Sequence, residues 1–315
     1  MLRFDDPAAV PAGFGPSAVT IGKFDGVHAG HRAIVARLLE VAAERDLTSV
    51  LVTFDRHPLS LLKPEACPVP LTSNDQKLDL LAEVGPDATL MLTFDHALAD
   101  QSAEDFVQHV LVDTLDARVV LVGADFRFGA GGKGTVDLLR TLGDAAGFEV
   151  IVLDDVSPDG SRRVSSTWIR ELLDRGDVSE AAALLGHLPT IRSVVVHGLQ
   201  RGRTLGYPTA NLAPSIEGFV PADGVYAAWL TAAGIRYPAA VSIGNNPTFE
   251  GVPEKQVEAH ALDQAIDLYD QVVEVSFVEY VRGMRKFSGA EALAEQMAAD
   301  EVRVREILGV APKKR

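Results

Sequence analysis

Up to about residue 186, apolar runs alternate with segments of helical periodicity; beyond that point the alternation stops. Residues 17–22, 48–54, 89–94, 118–123 and 149–153 are apolar along most of their length rather than at every second position. Between them, residues 30–44, 73–83, 102–115 and 136–146 are expected to be helical. Ile34, Leu38 and Val41 mark the spacing in the first of these, and Ser102 with Asp105 suits the capped start of the third. Strands apolar on both faces and separated by helices predict a parallel sheet covered on both sides. Such sheets hold ligands beyond the carboxyl ends of their strands, so the chemistry is expected just after Ile21, Phe54, Phe94, Gly123 and Leu153. Short helices follow near 167–174 and 179–185, and Gly186-His-Leu-Pro189 serves as a hinge. Past it, residues 192–197, 224–231, 238–244, 256–263 and 272–280 form short β-type segments punctuated by Gly and Pro, before a final amphipathic helix from about Ala290 to Leu308. This half predicts an antiparallel barrel with a C-terminal helix. The expectation is therefore an α/β chain of two domains, residues 1–186 and 187–315, a division that suits 315 residues better than one core does.

Charge narrows the partners. With 44 acidic and 29 basic side chains the net charge is −15, which argues against a nucleic-acid coat or a polybasic membrane anchor. Small phosphate ligands remain open, because a nest of N–H groups and one or two Arg can override the global field. Cys67 is the only cysteine, which excludes an intramolecular disulfide and Cys₂ or Cys₄ zinc sites and suits a cytoplasmic home. No apolar run reaches membrane-spanning length, so no membrane partner is expected.

The first candidate site is Gly22-Lys-Phe-Asp-Gly-Val-His-Ala-Gly-His31, between the first strand and the first helix. A helix N-terminus presents free N–H groups to a phosphate, and His28 and His31 can donate to charge that grows in a transition state. Gly26 and Gly30 let the backbone approach a ligand. A structural pair of capping histidines is the plain alternative; zinc would need further ligands that the neighbourhood does not suggest. Ser165-Ser-Thr-Trp-Ile-Arg170 places hydroxyls at a helix start with an Arg one turn on, a phosphate clamp or an ordinary cap. Together these motifs resemble nucleotidyltransferases of the His-x-Gly-His class, which attack the α-phosphate of ATP without a covalent enzyme intermediate. Gly129-Ala-Gly-Gly-Lys-Gly134 satisfies G-x-G-x-x-G and has Asp154 and Asp155 downstream, which mimics a dinucleotide site. Residues 124–128 intervene after the strand, however, so these glycines are expected to form a flexible loop over a substrate. A Walker A reading fails because Gly134 follows Lys133.

The second candidate site lies in the barrel. Arg201-Gly-Arg-Thr-Leu-Gly-Tyr-Pro-Thr-Ala-Asn211, preceded by Gly198, can wrap phosphates with its N–H groups, or be a plain hairpin loop. Thr209 and Asn211 offer oxygen ligands suited to Mg²⁺. Glu258, His260 and Leu262 share one strand face. A Glu turned into a barrel is costly unless paired or used, which makes Glu258 a candidate general base, with an outward surface Glu as the alternative.

The ordered set of motifs, which adds Thr53-Phe-Asp-Arg-His-Pro58, Gly123-Ala-Asp-Phe-Arg-Phe-Gly129, Gly224-Val-Tyr226, Gly244-Asn-Asn-Pro-Thr248 and residues 282–287, resembles the bacterial bifunctional riboflavin kinase/FAD synthetases from about Thr20 to Leu308. The resemblance implies a Rossmann-like parallel-sheet nucleotidyltransferase domain and a riboflavin-kinase-like antiparallel β-barrel with a C-terminal helix. It implies phosphorylation of riboflavin by ATP and Mg²⁺ in the second domain, and adenylylation of FMN to FAD in the first. By this resemblance Glu258, His28 and His31 are catalytic. Gly22, Phe24, Asp25, Gly30, Ser165, Ser166, Thr167, Arg170, Gly198, Gly202 and Arg203 bind ATP or phosphate, and Thr209 and Asn211 bind the metal. Asp55, His57, Pro58, Asp125, Phe126, Phe128, Leu205, Pro208, Arg282 and Phe287 bind flavin. Three positions depart from the family's usual pattern: Arg56 replaces Pro and offers a further phosphate contact. Asp125 replaces Asn and opposes ATP unless Mg²⁺ or Arg127 offsets it. Asp270 replaces Gly in a turn. The expected partners are riboflavin, FMN and ATP, in a monomer or weak homo-oligomer. A flavin sensor with one degenerate site and a dinucleotide-dependent oxidoreductase are the alternatives.

Overall fold

A computed structural model describes residues 1–154, 157, 162–197, 207–244, 255–264 and 266–311. The chain forms two compact units, one of Met1–Pro70 with Asn74–Ser165, the other of Leu71–Ser73 with Ser166–Arg315.

The first unit is a six-stranded, all-parallel sheet, ordered β1-β4-β3-β2-β5-β6. Its strands are β1 (Leu2–Phe4), β2 (Ser17–Ile21), β3 (Thr48–Phe54), β4 (Ala88–Leu92), β5 (Ala117–Gly123) and β6 (Glu149–Leu153). Its helices are α1 (Ala29–Arg45), α2 (Leu59–Leu62), α3 (Asn74–Val84), α4 (His96–Ala99), α5 (Ala103–Phe106), which winds on as π-helical Val107–Thr114, and α6 (Val136–Ala146). Every residue of β2 is buried, because both faces of the sheet are covered. Val19, Ile21, Val50, Val52, Val120 and Val122 pack on one side with α5, its continuation and α6. Ala18, Leu51, Val119 and Leu121 pack on the other with α1 and α3. The order reverses at β2: β3 and β4 lie to one side, β5 and β6 to the other. The loops leaving β2 and β5 therefore diverge, which opens a crevice at their carboxyl ends.

The second unit begins with α7 (Ser166–Leu173) and α8 (Val178–Leu185). A closed barrel follows, ordered β10-β11-β8-β7-β12-β9, with every printed pairing antiparallel. It consists of β7 (Thr190–Val196), β8 (Ala210–Leu212), β9 (Gly224–Ala232), β10 (Ile235–Gly244), β11 (Gln256–Ala261) and β12 (Val272–Arg282), and α9 (Ala290–Leu308) lies on its outside. Alternation fills the interior with Ala228, Leu230, Ala239, Val241, Val257, Ala259, Val275 and Phe277, all buried. The opposite face of the same strands packs Ala227 and Ala240 against Val304, Ile307 and Leu308 of α9. Gly224 is required by the ring of Tyr280, since a Cβ there would stand 2.4 Å from it. The α7–α8 turn seats on the barrel where Gly176 meets the hydroxyl of Tyr226 and Ala222 donates to the carbonyl of Leu173.

Strands β1 and β8 escape the sequence pattern because three residues are too few to show a period.

Candidate active sites

In the first unit, the chain leaves β2 through residues 22–28, and His28 caps α1, its Nδ1 accepting the backbone N–H of His31 at 3.3 Å. With Nδ1 accepting, the ring proton of His28 sits on Nε2 as a donor. The His28 and His31 rings stack with centroids 3.7 Å apart, and Phe24 meets His31 edge-on at 5.1 Å. Two glycines make room for these rings: a Cβ on Gly30 would lie 3.1 Å from His28 Cε1, and one on Gly22 would lie 3.1 Å from Phe24. The turn holds Phe24 at φ 49° and Val27 at φ 39°, left-handed conformations that are costly for such side chains. Both are buried, so packing maintains the strain. The Nδ1 of His31 is buried without a hydrogen-bond partner. Burial, and then the neighbouring His28, Lys23 and Arg163, push His31 well below the usual imidazole range. At neutral pH His31 is therefore an uncharged imidazole in a positive field at a helix N-terminus, an environment suited to an arriving phosphate.

The other loops at the carboxyl ends of the strands carry the remaining residues of this unit. After β3, Asp55 accepts the Phe94 N–H at 2.8 Å and is gripped by its neighbour Arg56 at 2.9 Å. Burial would raise the Asp55 carboxyl, but Arg56 and the Phe94 N–H together hold it below its usual range. The guanidinium of Arg56 is thus turned onto Asp55. His57 stands just before the short α2, its Nδ1 accepting Leu59 N–H at 3.1 Å, with Lys23 Nζ 3.3 Å from its Nε2. Pro58 is the residue preceding α2. After β5, Asp125 pairs with Arg163 at 2.9 Å, so its acid is offset by Arg163 rather than by the expected Arg127. Phe126 stacks on Phe128, and Phe128 belongs to the buried core against Phe106. The loop expected to be flexible is tied. Phe128 and Gly134 exchange backbone hydrogen bonds at 2.8 and 3.3 Å, and Ala130 N–H reaches the Gln101 carbonyl at 2.7 Å. These glycines do not open α6, whose N-cap is Thr135, so the dinucleotide reading loses its helix start.

Lys77 and Arg163 are polar residues that belong to none of the sequence motifs. Lys77 of α3 is buried and donates to the Phe54 carbonyl at 2.6 Å, while Asn74 donates to the next carbonyl, Asp55, at 2.7 Å. The start of α3 thus clamps the end of β3. The signal was present: Lys77 lies four residues before buried Leu81, on the inward face of its helix. Arg163 follows no periodic element and gives no such signal.

In the second unit, Ser166 and Thr167 open α7, and Arg170 stands one turn on; Ser165 ends the first unit. In the barrel, β11 pairs Glu258 with Asn211 of β8 on one side and with Ser242 of β10 on the other. Thr209 precedes Asn211 by two residues. The expectation that Glu258 points into the barrel is corrected: Val257, Ala259 and Ala261 fill the interior, and Glu258 shares the outer face with His260, which bonds Glu301 of α9 at 2.9 Å. The side-chain oxygens of Thr209 and Asn211 are hard donors of the kind that Mg²⁺ prefers, and Asn211 lies opposite Glu258 in the ladder. Among the described residues no cluster of three or more His, Cys, Asp or Glu could hold a metal by itself. Arg282 directs Nε and Nη2 into a fork on buried Asp300 at 2.8 and 2.6 Å and Nη1 to the Gly283 carbonyl, with its guanidinium 5.8 Å over the ring of Phe287. Asp270, in the turn before β12, has φ 61°, which explains a preference for Gly there. Pro208 is exposed; Gly198, Gly202, Arg203 and Leu205 lie outside the described residues.

Comparison with known proteins bears on both units. The family model for FAD synthetase matches residues 12–168, and that for riboflavin kinase matches residues 185–308. A bifunctional riboflavin kinase/FMN adenylyltransferase of Escherichia coli (strain K12) is 38% identical over 293 residues, covering 93% of each chain. Its Pseudomonas fluorescens namesake is 40% identical over 89% of each chain, and that of Listeria monocytogenes 33% over 90%. A crystal structure described as a macrolide-efflux protein from Streptococcus pneumoniae matches with a TM-score of 0.86 and 31% identity, covering 96% of this chain and 98% of the other. Among the described residues no helix is long and apolar enough to cross a membrane. Two successive family matches, in the chain order of the two units and joined in relatives aligned over nine-tenths of their length, place this chain in the family of bifunctional riboflavin kinase/FMN adenylyltransferases.

Proposed function

We propose that this chain makes FMN and then FAD: residues 187–315 phosphorylate riboflavin with MgATP, and residues 1–186 adenylylate FMN with release of pyrophosphate. The observation that carries the reading is the presence, in one chain, of the His28–His31 helix terminus at the switch point of a parallel sheet and of Glu258 beside Asn211 on a closed barrel.

In the barrel, Glu258 takes the proton of the ribityl 5′-hydroxyl as its oxygen attacks the γ-phosphorus, and the γ–β bridging bond breaks to leave ADP. Thr209 and Asn211 would hold the Mg²⁺ that arrives with ATP, which would offset the charge of the transferring phosphate, and Gly198, Gly202 and Arg203 meet the nucleotide's phosphates. Leu205, Pro208, Arg282 and Phe287 border the isoalloxazine; for Arg282 this role runs through its stacked Phe287, since its fork grips Asp300.

In the first domain, a phosphate oxygen of FMN attacks the α-phosphorus of ATP and the α–β bridging bond breaks. Charge on the α-phosphoryl oxygens is met by the N–H groups of α1 and by His28 and His31. Gly22, Phe24, Asp25 and Gly30 shape that cradle, and Ser165, Ser166, Thr167 and Arg170 take the leaving pyrophosphate. Asp55, His57, Pro58, Asp125, Phe126 and Phe128 form or support the flavin side. The setting we infer is the cytoplasm, where ATP is supplied, and the state a monomer or weak homo-oligomer.

The test is incubation of purified protein with riboflavin, ATP and Mg²⁺, with chromatography of the flavins. FMN and FAD both accumulate. Glu258→Gln stops FMN formation but still converts supplied FMN to FAD, and the double change His28→Ala, His31→Ala does the reverse. Loss of both activities from either folded variant would refute the independence of the sites.

A further inference from the structure

His260 stands two residues beyond Glu258 on the same outer face of β11 and is 7% exposed. Its Nδ1 lies 2.8 Å from the carbonyl oxygen of Pro208, and its Nε2 lies 2.9 Å from Oε1 of Glu301 on α9. Tyr207 meets the ring edge-on at 5.4 Å. A backbone carbonyl and a carboxylate both accept, so each ring nitrogen faces an acceptor. The bond to Pro208 falls at the head of the segment that carries Thr209 and Asn211. The other end of that segment is fixed by the ladder, where Asn211 lies opposite Glu258. Thr209 is therefore held between two anchors on one strand, β11. Helix α9 is fixed in turn: Asp300, the residue before Glu301, takes the fork from Arg282 at 2.6 Å, and Arg305, one turn on, pairs with Asp263 at 2.8 Å.

From this arrangement we infer that His260 is a positioning residue for phosphoryl transfer, which fastens the 208–211 segment to α9 through Glu301 and so holds Thr209 and Asn211 in register with Glu258. The inference rests on the reading of the barrel as the riboflavin kinase. A buried histidine that only stabilises the fold would make the same two bonds, so the test must separate register from stability. Both reactions of the full chain are measured in the same samples, which makes adenylylation the internal control. His260→Phe, which keeps an aromatic ring and removes both nitrogens, lowers kcat for riboflavin phosphorylation about ten- to hundredfold, as loss of a supporting hydrogen bond behind a ligand does. It raises KM for MgATP and leaves FMN adenylylation at the wild-type rate. His260→Gln, whose amide keeps a donor for the Pro208 carbonyl, recovers most of the loss. Glu301→Gln retains near-wild-type kinase activity, because an amide can accept from or donate to the ring. If His260→Phe lowers the melting midpoint but leaves kcat and KM per folded enzyme unchanged, His260 is structural only and the inference is overturned. Equal damage to both reactions overturns it too. A wild-type protein that makes FAD from FMN but no FMN from riboflavin overturns the kinase reading, and this inference with it.

Discussion

Lys77 makes a testable claim about charge burial. The residue is 6% exposed, and its ammonium is bonded to the Phe54 carbonyl. Burial outweighs the nearby carboxylates of Asp25 and Asp55 and brings its pKa from 10.5 down to about 8. Between pH 8 and 10.5 the unfolded chain then binds more protons at this site than the folded one, so the contribution of Lys77 to stability rises with pH across that window. The span of 10.5 − 8 = 2.5 units, at about 1.36 kcal/mol each, gives about 3 kcal/mol. Lys77→Met keeps the straight chain and removes the charge. At pH 7 it relieves that cost but orphans the Phe54 carbonyl, a loss of about 1–3 kcal/mol, so the midpoint itself moves little and the pH slope is the measurement. The unfolding free energy of the wild type minus that of Lys77→Met is expected to be flat below pH 8 and to climb by about 3 kcal/mol by pH 10.5. Urea titrations can isolate it. Both tryptophans, Trp168 and Trp229, lie in the second unit, so fluorescence follows that unit and the remaining circular-dichroism transition follows the first. A difference that stays level from pH 7 to 10.5, or that falls, would refute the claim that this lysine is held charged at a cost.

Other substitutions separate stability from chemistry. Gly30→Ala pushes its Cβ to 3.1 Å from the His28 ring but improves helix propensity by about 0.5–1 kcal/mol. The protein should be no less stable in urea, with FAD formation down about a hundredfold and FMN formation unchanged, as a misplaced reacting group predicts. Asp300→Asn leaves half-buried Arg282 without its carboxylate, and tryptophan fluorescence should report a loss of about 3 kcal/mol in the barrel. Asp270→Gly relieves a φ of 61° and should raise the barrel's stability by about 0.5–1 kcal/mol; an unchanged or lower denaturation midpoint would mean that the Asp side chain contributes as much as the strain costs.

Legibility in the sequence followed the length of each signal. The parallel sheet was readable because β2, β3 and β5 are apolar on both faces, which only double coverage explains. The His28–His31 site was readable because its residues are adjacent in sequence and the helix start supplies the rest. Glu258 was found through its alternation with His260 and Leu262, but alternation gives a shared face and not its direction. Which face turns inward depended on Val257 and Ala259, whose small apolar side chains fill a narrow barrel, and on α9, which covers the other side. Lys77 was marked only by its place on the inward face of α3. Arg163 and the His260–Glu301 bond depend on partners distant in sequence, the last spanning 41 residues, and no local pattern announces them. The glycines show the same division. Gly129–Gly134 matched a motif yet serves a backbone bridge to Phe128, whereas Gly22 and Gly30, scattered by spacing, are required by the rings of Phe24 and His28.

The same distinction between local and global information governs charge. A chain of net charge −15 that binds ATP must build a positive field where the phosphates sit. His31 reports that field from within: besides burial, it is Lys23, Arg163 and His28 that hold its pKa low. A bound triphosphate would reverse the sign of the local potential and favour the imidazolium, so nucleotide binding should raise the His31 pKa toward and past its ordinary value. Histidine C–H resonances followed by NMR across pH 5–8, without nucleotide and with a non-hydrolysable ATP analogue, read this directly, with His31→Gln assigning the signal. An upward shift on binding supports phosphate contact at His31; an unmoved titration places the phosphates elsewhere and refutes the assignment of this helix terminus to the α-phosphate.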